Sequence, residues 1–349
     1  MIFVGDIALP NSNYELDIPN NLRVKNWFVN LEGSLINSEE CHTTINQIKV
    51  FNNFDSIIKL NHAINIKACS IANNHIEDCQ PVHETIQKLD SLGIMHVGAG
   101  SNIEEASKVL EISDGTSNMT ILSFGWDVIN CPIAKKNKSG VNPYKREHII
   151  KSVSNALSRS KILICFFHWG YELEAYPLPY DRKLAHTLID MGVSAVIGCH
   201  AHRTQQIEVY KGRPIVYGLG NFLFQQGQFW DGRLIFPLFT KQELAFEITE
   251  HDEWIAHWFD FDIENNKVSY KRSERISPSQ SEFEGKAEYA ELESHSYDVF
   301  FKKSRYHKKM LPVYKSDDGL LVYAVKSSFV KIRGKLIAVL LKLNLIKSK

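Results

Sequence analysis

The chain has 349 residues, room for one large α/β domain with an appendage or for about two domains at roughly 150 residues each. Its 44% hydrophobic and 23% charged residues are a globular composition and exclude a disordered, collagen-like or disulfide-scaffold chain. The 40 Lys and Arg balance 40 Asp and Glu, so no global field attracts nucleic acid, and partners must be met by local patches.

The amino terminus, Met-Ile-Phe-Val-Gly-Asp, lacks a basic segment, a long apolar core and a small-residue cleavage site, which predicts a cytoplasmic chain without a secretory signal. No stretch approaches the roughly 18 apolar residues of a membrane span. The six cysteines (Cys41, Cys69, Cys79, Cys131, Cys165, Cys199) show no paired spacing and are expected to be buried, reduced thiols.

Up to about residue 225, short β-branched or aromatic runs alternate with helical patterns, the signature of βα units around an internal sheet. Strands are predicted at 1–5, 25–30, 64–71, 94–97, 119–124, 161–167, 194–199 and 214–219, with helices near 54–62, 81–92, 147–159 and 181–191. The second of these helices has Pro81 at its start and Gly93 at its end. From about 234 to 272 the pattern turns strand-rich, with Asn265-Asn266 marking a hairpin, and it reads as a continuation or edge of the core, giving a first domain over 1–272. Residues 273–319 are polar and predict a linker or surface segment.

The last segment, 320–349, carries seven Lys or Arg and no acid from Lys326 onward. In it Val325, Phe329, Ile332, Leu336, Val339, Leu343 and Ile346 recur at four- and three-residue steps. It reads as a basic amphipathic helix, either lying on an anionic membrane surface or docked on protein, and the sequence leaves both open.

The chemistry-bearing residues collect at predicted strand ends, where α/β sheets place ligands. They are Asp6, Glu32, Asn74 with His75, His168, and His200 with His202. Hard and borderline donors converging from separate loops suit a divalent cation, and imidazoles select transition metals (Mn, Fe or Zn) over Ca or Mg. Glu172 and Arg203 are charged neighbours of these histidines and candidate substrate contacts, Arg203 as a bidentate clamp for phosphate or carboxylate; Asn221 orients a ligand or a loop. No GxxxxGK[ST] loop is present, which argues against an ATP-dependent ligase.

The strings GDIAL, NLEGSL, SIANNHIEDC, FFHWGYE, VIGCHAHRTQQIE and YGLGNFLF, in this order, resemble the CapA family of poly-γ-glutamate and capsule synthesis proteins, within the calcineurin-like metallophosphoesterase superfamily. The resemblance covers roughly residues 1–240 and implies a four-layer α/β sandwich, here with a C-terminal extension, holding one or two divalent transition-metal ions. By that resemblance Asp6 and His202 bind the first metal, Glu32 bridges, Asn74, His168 and His200 bind the second, and His75 is the general acid. Ala8 stands where the superfamily usually has a histidine, which leaves the first metal with Asp6, Glu32 and His202.

The implied activity is hydrolysis of a phosphoester or related bond in surface-polymer biosynthesis, on the polymer or a phosphorylated precursor, at the inner face of the membrane. The alternative is a non-catalytic assembly component that binds polymer in a degenerate metal pocket.

Overall fold

The computed structural model is described for residues 1–37, 41, 49–113, 118–249, 253–280, 282–307 and 310–342. The strands of its two large sheets are β1 (Ile2–Ala8), β2 (Glu15–Asp17), β3 (Asn26–Leu31), β4 (Asn65–Ser70), β5 (Met95–Val97), β6 (Leu110–Ser113), β7 (Asn118–Gly125), β8 (Ile162–His168), β9 (Ala195–Cys199), β10 (Ile207–Tyr210), β11 (Arg213–Val216), β12 (Asn221–Phe224), β13 (Gln242–Ile248), β14 (Trp254–Asp262) and β15 (Lys267–Ile276). The longer helices are α1 (Phe54–Ala63), α2 (Val82–Ser91), α3 (Arg146–Leu157), α4 (Pro179–Met191), α5 (Ser294–Ser304) and α6 (Leu320–Lys342).

Two mixed sheets result. The first runs β2-β15-β14-β13-β1-β3-β4-β5, with β12 pairing the end of β1; the second runs β10-β11-β9-β8-β7-β6. Runs such as Ile2-Phe3-Val4, Trp27-Phe28-Val29 and Ile164-Cys165-Phe166 are continuously apolar because both faces of these strands are covered. Phe3, Phe28 and Ala68 of the first sheet meet Ile121, Ile164, Phe166 and Ile197 of the second in one core, with Phe28 and Phe166 ring centroids 5.1 Å apart. Burying an aromatic of this kind contributes on the order of 2–3 kcal/mol. The intervening residues, among them Val4, Trp27, Val29, Leu163, Cys165 and Phe167, face outward and join a cluster with Ile57 and Leu60 of α1, Val153 of α3, and Leu184 and Leu188 of α4. The order is helix, sheet, sheet, helix: a four-layer α/β sandwich.

The strand-rich stretch extends the first sheet as β13, β14 and β15, antiparallel to one another, with Asn266 in a left-handed conformation (φ 48°) at the hairpin tip. Residues 273–319 depart from the linker expectation. β15 continues to Ile276, and Phe283, Ala287, Tyr289, Tyr297, Phe301 and Tyr314 are buried. A polar average hid an aromatic core contribution, because the buried residues are spaced too irregularly to make a periodic face.

A second correction concerns the thiols. Cys41 and Cys79 form a disulfide across 38 residues, while Cys69, Cys131, Cys165 and Cys199 are free and buried. Nothing in their spacing marked the pair, since only the fold brings the segment after the short strand Ser34–Ile36 back beside the loop that follows β4.

Parallel register aligns the strand ends that matter. Asp6 lies beside Asn30 and Asn30 beside Ser70 in the first sheet, and Gly125 beside His168 beside Cys199 in the second. Every loop leaving these strands therefore starts at one edge of the sandwich.

Candidate metal centre

Asp6 is held in place by backbone. Its N–H donates to the Gly220 carbonyl (3.1 Å), and a Cβ at Gly5 would lie 1.8 Å from that same oxygen, so only glycine lets β1 approach the 220–221 turn so closely. Asn30, unremarked in the sequence, donates to Asp6 Oδ1 (2.8 Å) and lies 3.5 Å from His168 Nδ1. Glu32 follows β3, with its N–H on the Ile7 carbonyl (3.0 Å); the next residue, Gly33, turns with φ +93° against the Val50 backbone. Asn73 braces this corner by donating to the Leu31 carbonyl (2.8 Å) and accepting from the N–H groups of Gly33 (3.1 Å) and His75 (3.2 Å).

From the second sheet, His168 meets the Asn74 amide oxygen through Nε2 (2.7 Å) and Cys199 Sγ through Nδ1 (3.2 Å). His200 and His202 both have positive φ (90° and 50°), a conformation that costs β-carbon strain and persists only where the surroundings impose it. The His200 N–H donates to Asp6 Oδ2 (3.2 Å). His202 Nδ1 lies 2.9 Å from Asn221 Oδ1 and 3.2 Å from Asp6 Oδ2, and its ring stacks on Phe236. Asn221 thus orients His202.

Three donor trios emerge among the described residues, Asp6/Glu32/His202, Glu32/His168/His200 and Asp6/His168/Cys199, each with ligand atoms within 4.8 Å of one another, and Glu32 joins the two that carry no thiol. All six side chains are buried. Among the described residues, both carboxylate oxygens of Glu32 and Nδ1 of His200 lack any hydrogen-bond partner. A buried, unsatisfied carboxylate is expensive unless a cation completes it, so the donor set fits a divalent ion or a pair of them.

The electrostatics agree. Burial, with the neighbouring Asp6, pushes the Glu32 carboxyl up to about 8. Burial resists charging His202, but Glu32 and Asp6 override it and push the imidazolium up to about 10. Burial holds His168 and His200 well below the ordinary range, neutral and ready to donate lone pairs.

His75 stands at the rim with Nδ1 2.6 Å from Asp78 Oδ2. Burial opposes its protonation, yet the Asp78 carboxylate raises it above the usual imidazole range. Asp78 also accepts from the Val50 N–H (2.9 Å) and precedes the disulfide at Cys79. Its position three residues after His75 was the available signal.

Glu32, Asn74, His75, Glu172, His200 and His202 line one cavity of about 370 Å³. Arg203 is elsewhere, its guanidinium over the Phe239 ring at 4.6 Å. Arg182, in the stretch after the His-Trp-Gly motif, is taken up by Glu208 (2.7 Å and 3.1 Å) and is structural.

The site is a cluster of carboxylates and histidines at one sheet edge of a four-layer α/β sandwich. Residues 22–226, more than half of the chain, match the family described as bacterial capsule synthesis protein PGA_cap, and the chain belongs to that family.

It is 33% identical over 174 residues to the PGA biosynthesis protein CapA of Bacillus subtilis (strain 168), a match covering 49% of this chain and 46% of that protein. It is 29% identical over 164 residues to the capsule biosynthesis protein CapA of Bacillus anthracis, covering 45% and 40%. A probable polyglutamine synthesis accessory protein of Mycobacterium tuberculosis is 31% identical over 172 residues, covering 46% and 45%. The matches span less than half the length of these relatives.

Among solved structures, the calcineurin-like phosphoesterase YfkN from Bacillus subtilis aligns over 95% of this chain and 98% of that one (TM-score 0.38, 10% identity). A putative 5'-nucleotidase from Staphylococcus aureus aligns over 80% and 55% (TM-score 0.39, 10% identity).

Proposed function

We propose that the chain is a metal-dependent hydrolase of a phosphoester or related bond, acting in capsule, polysaccharide or poly-γ-glutamate biosynthesis on the polymer or a phosphorylated precursor. The observation that carries this reading is Glu32, fully buried with both oxygens free and shared by two donor trios, beside the His75–Asp78 pair. Asp6, Glu32 and His202 would hold one ion, and Glu32, Asn74, His168 and His200 a second. A bound Mn, Fe or Zn ion would polarise the scissile bond and make water a nucleophile near neutral pH. Asp78 holds Nδ1 of His75, a residue of the cavity wall, which leaves Nε2 to give a proton to the leaving oxygen.

The test is elemental analysis of protein purified without chelator, then turnover with p-nitrophenyl phosphate and bis-p-nitrophenyl phosphate under Mn²⁺, Fe²⁺ and Zn²⁺. One or two ions per chain with metal-dependent turnover is expected. Absence of metal and of uptake overturns the centre; metal without turnover on any substrate, but with retained binding of oligo-γ-glutamate, transfers the proposal to the non-catalytic assembly role.

A membrane surface is proposed as the second partner. Among the described residues no helix is long and apolar enough to cross a membrane. α6 docks through Tyr323, Lys326, Val330 and Lys331 and turns its apolar stripe outward: Val325 (66% exposed), Phe329, Ile332, Leu336 and Val339. Leu343 and Ile346 lie outside the described residues. An exposed apolar stripe on a segment with only basic charges suits an anionic lipid surface. The Cys41–Cys79 disulfide favours an oxidising compartment over the cytoplasm read from the amino terminus. Co-sedimentation with phosphatidylglycerol vesicles should be strong for the full chain and lost in the Phe329→Glu, Leu336→Glu double variant. Equal sedimentation of both, or of neither, would reject the lipid surface.

A further inference from the structure

Part of the cavity wall comes from chain beyond residue 226, outside the family match: His307, Leu311 and Arg333 face the same space as Glu32 and His200. This wall is built in. The buried Glu174 carboxylate, after β8, accepts from the backbone N–H groups of Tyr306 and His307, and the Tyr171 hydroxyl donates to the Pro312 carbonyl (3.2 Å). His307 Nε2 lies 2.8 Å from the Glu172 carbonyl, which can only accept, so Nε2 carries a proton.

α6 is fixed as firmly. The Trp126 indole N–H donates to the Tyr323 hydroxyl (2.6 Å), Lys331 pairs with Asp127, and Tyr314 donates to Ser327 (3.2 Å). Asp127 begins the short turn of helix whose Ile129 and successor Asn130 also line the cavity. Tyr323, Lys326, Val330 and Arg333 follow one another at three- and four-residue steps along the docked face. Arg333 is the last of that row and the one that reaches the cavity.

Each of the other cations on this face has an acid: Lys326 has Asp318 and Lys331 has Asp127. Arg333 has no ion pair or hydrogen bond with any described residue. A guanidinium held by a docked helix at the wall of a half-enclosed cavity, with its five donors unused, is arranged for a planar or tetrahedral oxyanion.

We propose that Arg333 forms an anion subsite of this cavity, gripping a carboxylate or phosphate on a part of the substrate away from the bond that reacts. Two sources supply that chemistry: the free carboxylates of a γ-linked glutamyl polymer, or the phosphate of an activated precursor. The subsite rests on the reading of the cavity as a substrate site and not on an ion being bound.

The test is calorimetric titration of the full chain, stripped of metal, with inorganic phosphate in one arm and tri-γ-glutamate in the other. Wild type is expected to bind at least one probe, and the arm that responds identifies the source. Arg333→Ala should weaken that binding tenfold or more at an unchanged melting temperature, and Arg333→Lys should recover part of it. No binding of either probe by wild type, or equal binding by wild type and Arg333→Ala, would overturn the subsite. An Arg333 effect in a protein that takes up no metal would keep the subsite and remove the hydrolase reading; metal-dependent turnover indifferent to Arg333 would do the reverse.

Discussion

Glu32→Gln is expected to empty the metal centre and abolish turnover together. The substitution keeps the volume and removes the charge, and Glu32 is the carboxylate that joins the His202 trio to the His168/His200 trio. Loss of a single terminal ligand would leave the other ion in place, whereas loss of the shared one removes the anion that holds two cations close. Stability separates this outcome from simple misfolding. In wild type, Mn²⁺ at 100 times its Kd should add about 2.7 kcal/mol and raise the melting temperature, because the ion binds only the folded chain. In Glu32→Gln that increment should vanish, while the metal-free variant should melt no lower than metal-free wild type, since a buried, unsatisfied carboxyl has been exchanged for a neutral amide. Metal analysis and paired melting curves with and without chelator read this out. Full metal content in the variant would show that the centre is not built around Glu32.

The second large effect is at His75. His75→Ala should lower kcat by roughly 10²–10⁴-fold, the contribution of a positioned general acid, with metal content close to wild type. His200→Ala should lose the ion of its own trio, and activity with it, because His200 belongs to a donor trio and His75 to none. The leaving group supplies the sharper criterion. An acid protonates a poor leaving group far more usefully than a good one, so the loss in His75→Ala should grow from p-nitrophenyl to alkyl phosphate esters. Asp78→Asn keeps the hydrogen-bonding shape but not the charge, and should give a smaller loss in kcat with the same trend. If His75→Ala loses metal as His200→Ala does, His75 is a ligand and the acid is another group.

Much of the site could be read from the chain because of how parallel strands work. A strand buried on both faces is a continuous apolar run, so its end is visible, and the polar residue just beyond it stands at the sheet edge. Asp6, Glu32, Asn74, His75, His168, His200 and His202 are all picked out as candidates in this way, and the fold gathers them at one edge. What the runs do not contain is partner choice. Asn30 sits inside the run Trp-Phe-Val-Asn-Leu, and its bond to Asp6 depends on parallel register between two strands, which no local pattern encodes.

The sequence by itself determined the alternating βα organisation, the strand-end donors and the family, because hydrophobic periodicity and donor chemistry are properties of short segments. Tertiary structure alone decided the Cys41–Cys79 bridge, the withdrawal of Arg203 onto Phe239, and the arrival of Arg333 in the cavity. It also decided which way α6 faces: its apolar stripe invites docking by that face, yet Tyr323, Lys326 and Lys331 find partners in Trp126, Asp318 and Asp127 and turn the stripe outward. The physical reason is common to all of these. An apolar pattern states that a surface leaves water, but pairing of thiols, charges and hydrogen-bonding groups depends on distances between residues far apart in the chain, and only the packed fold sets those distances.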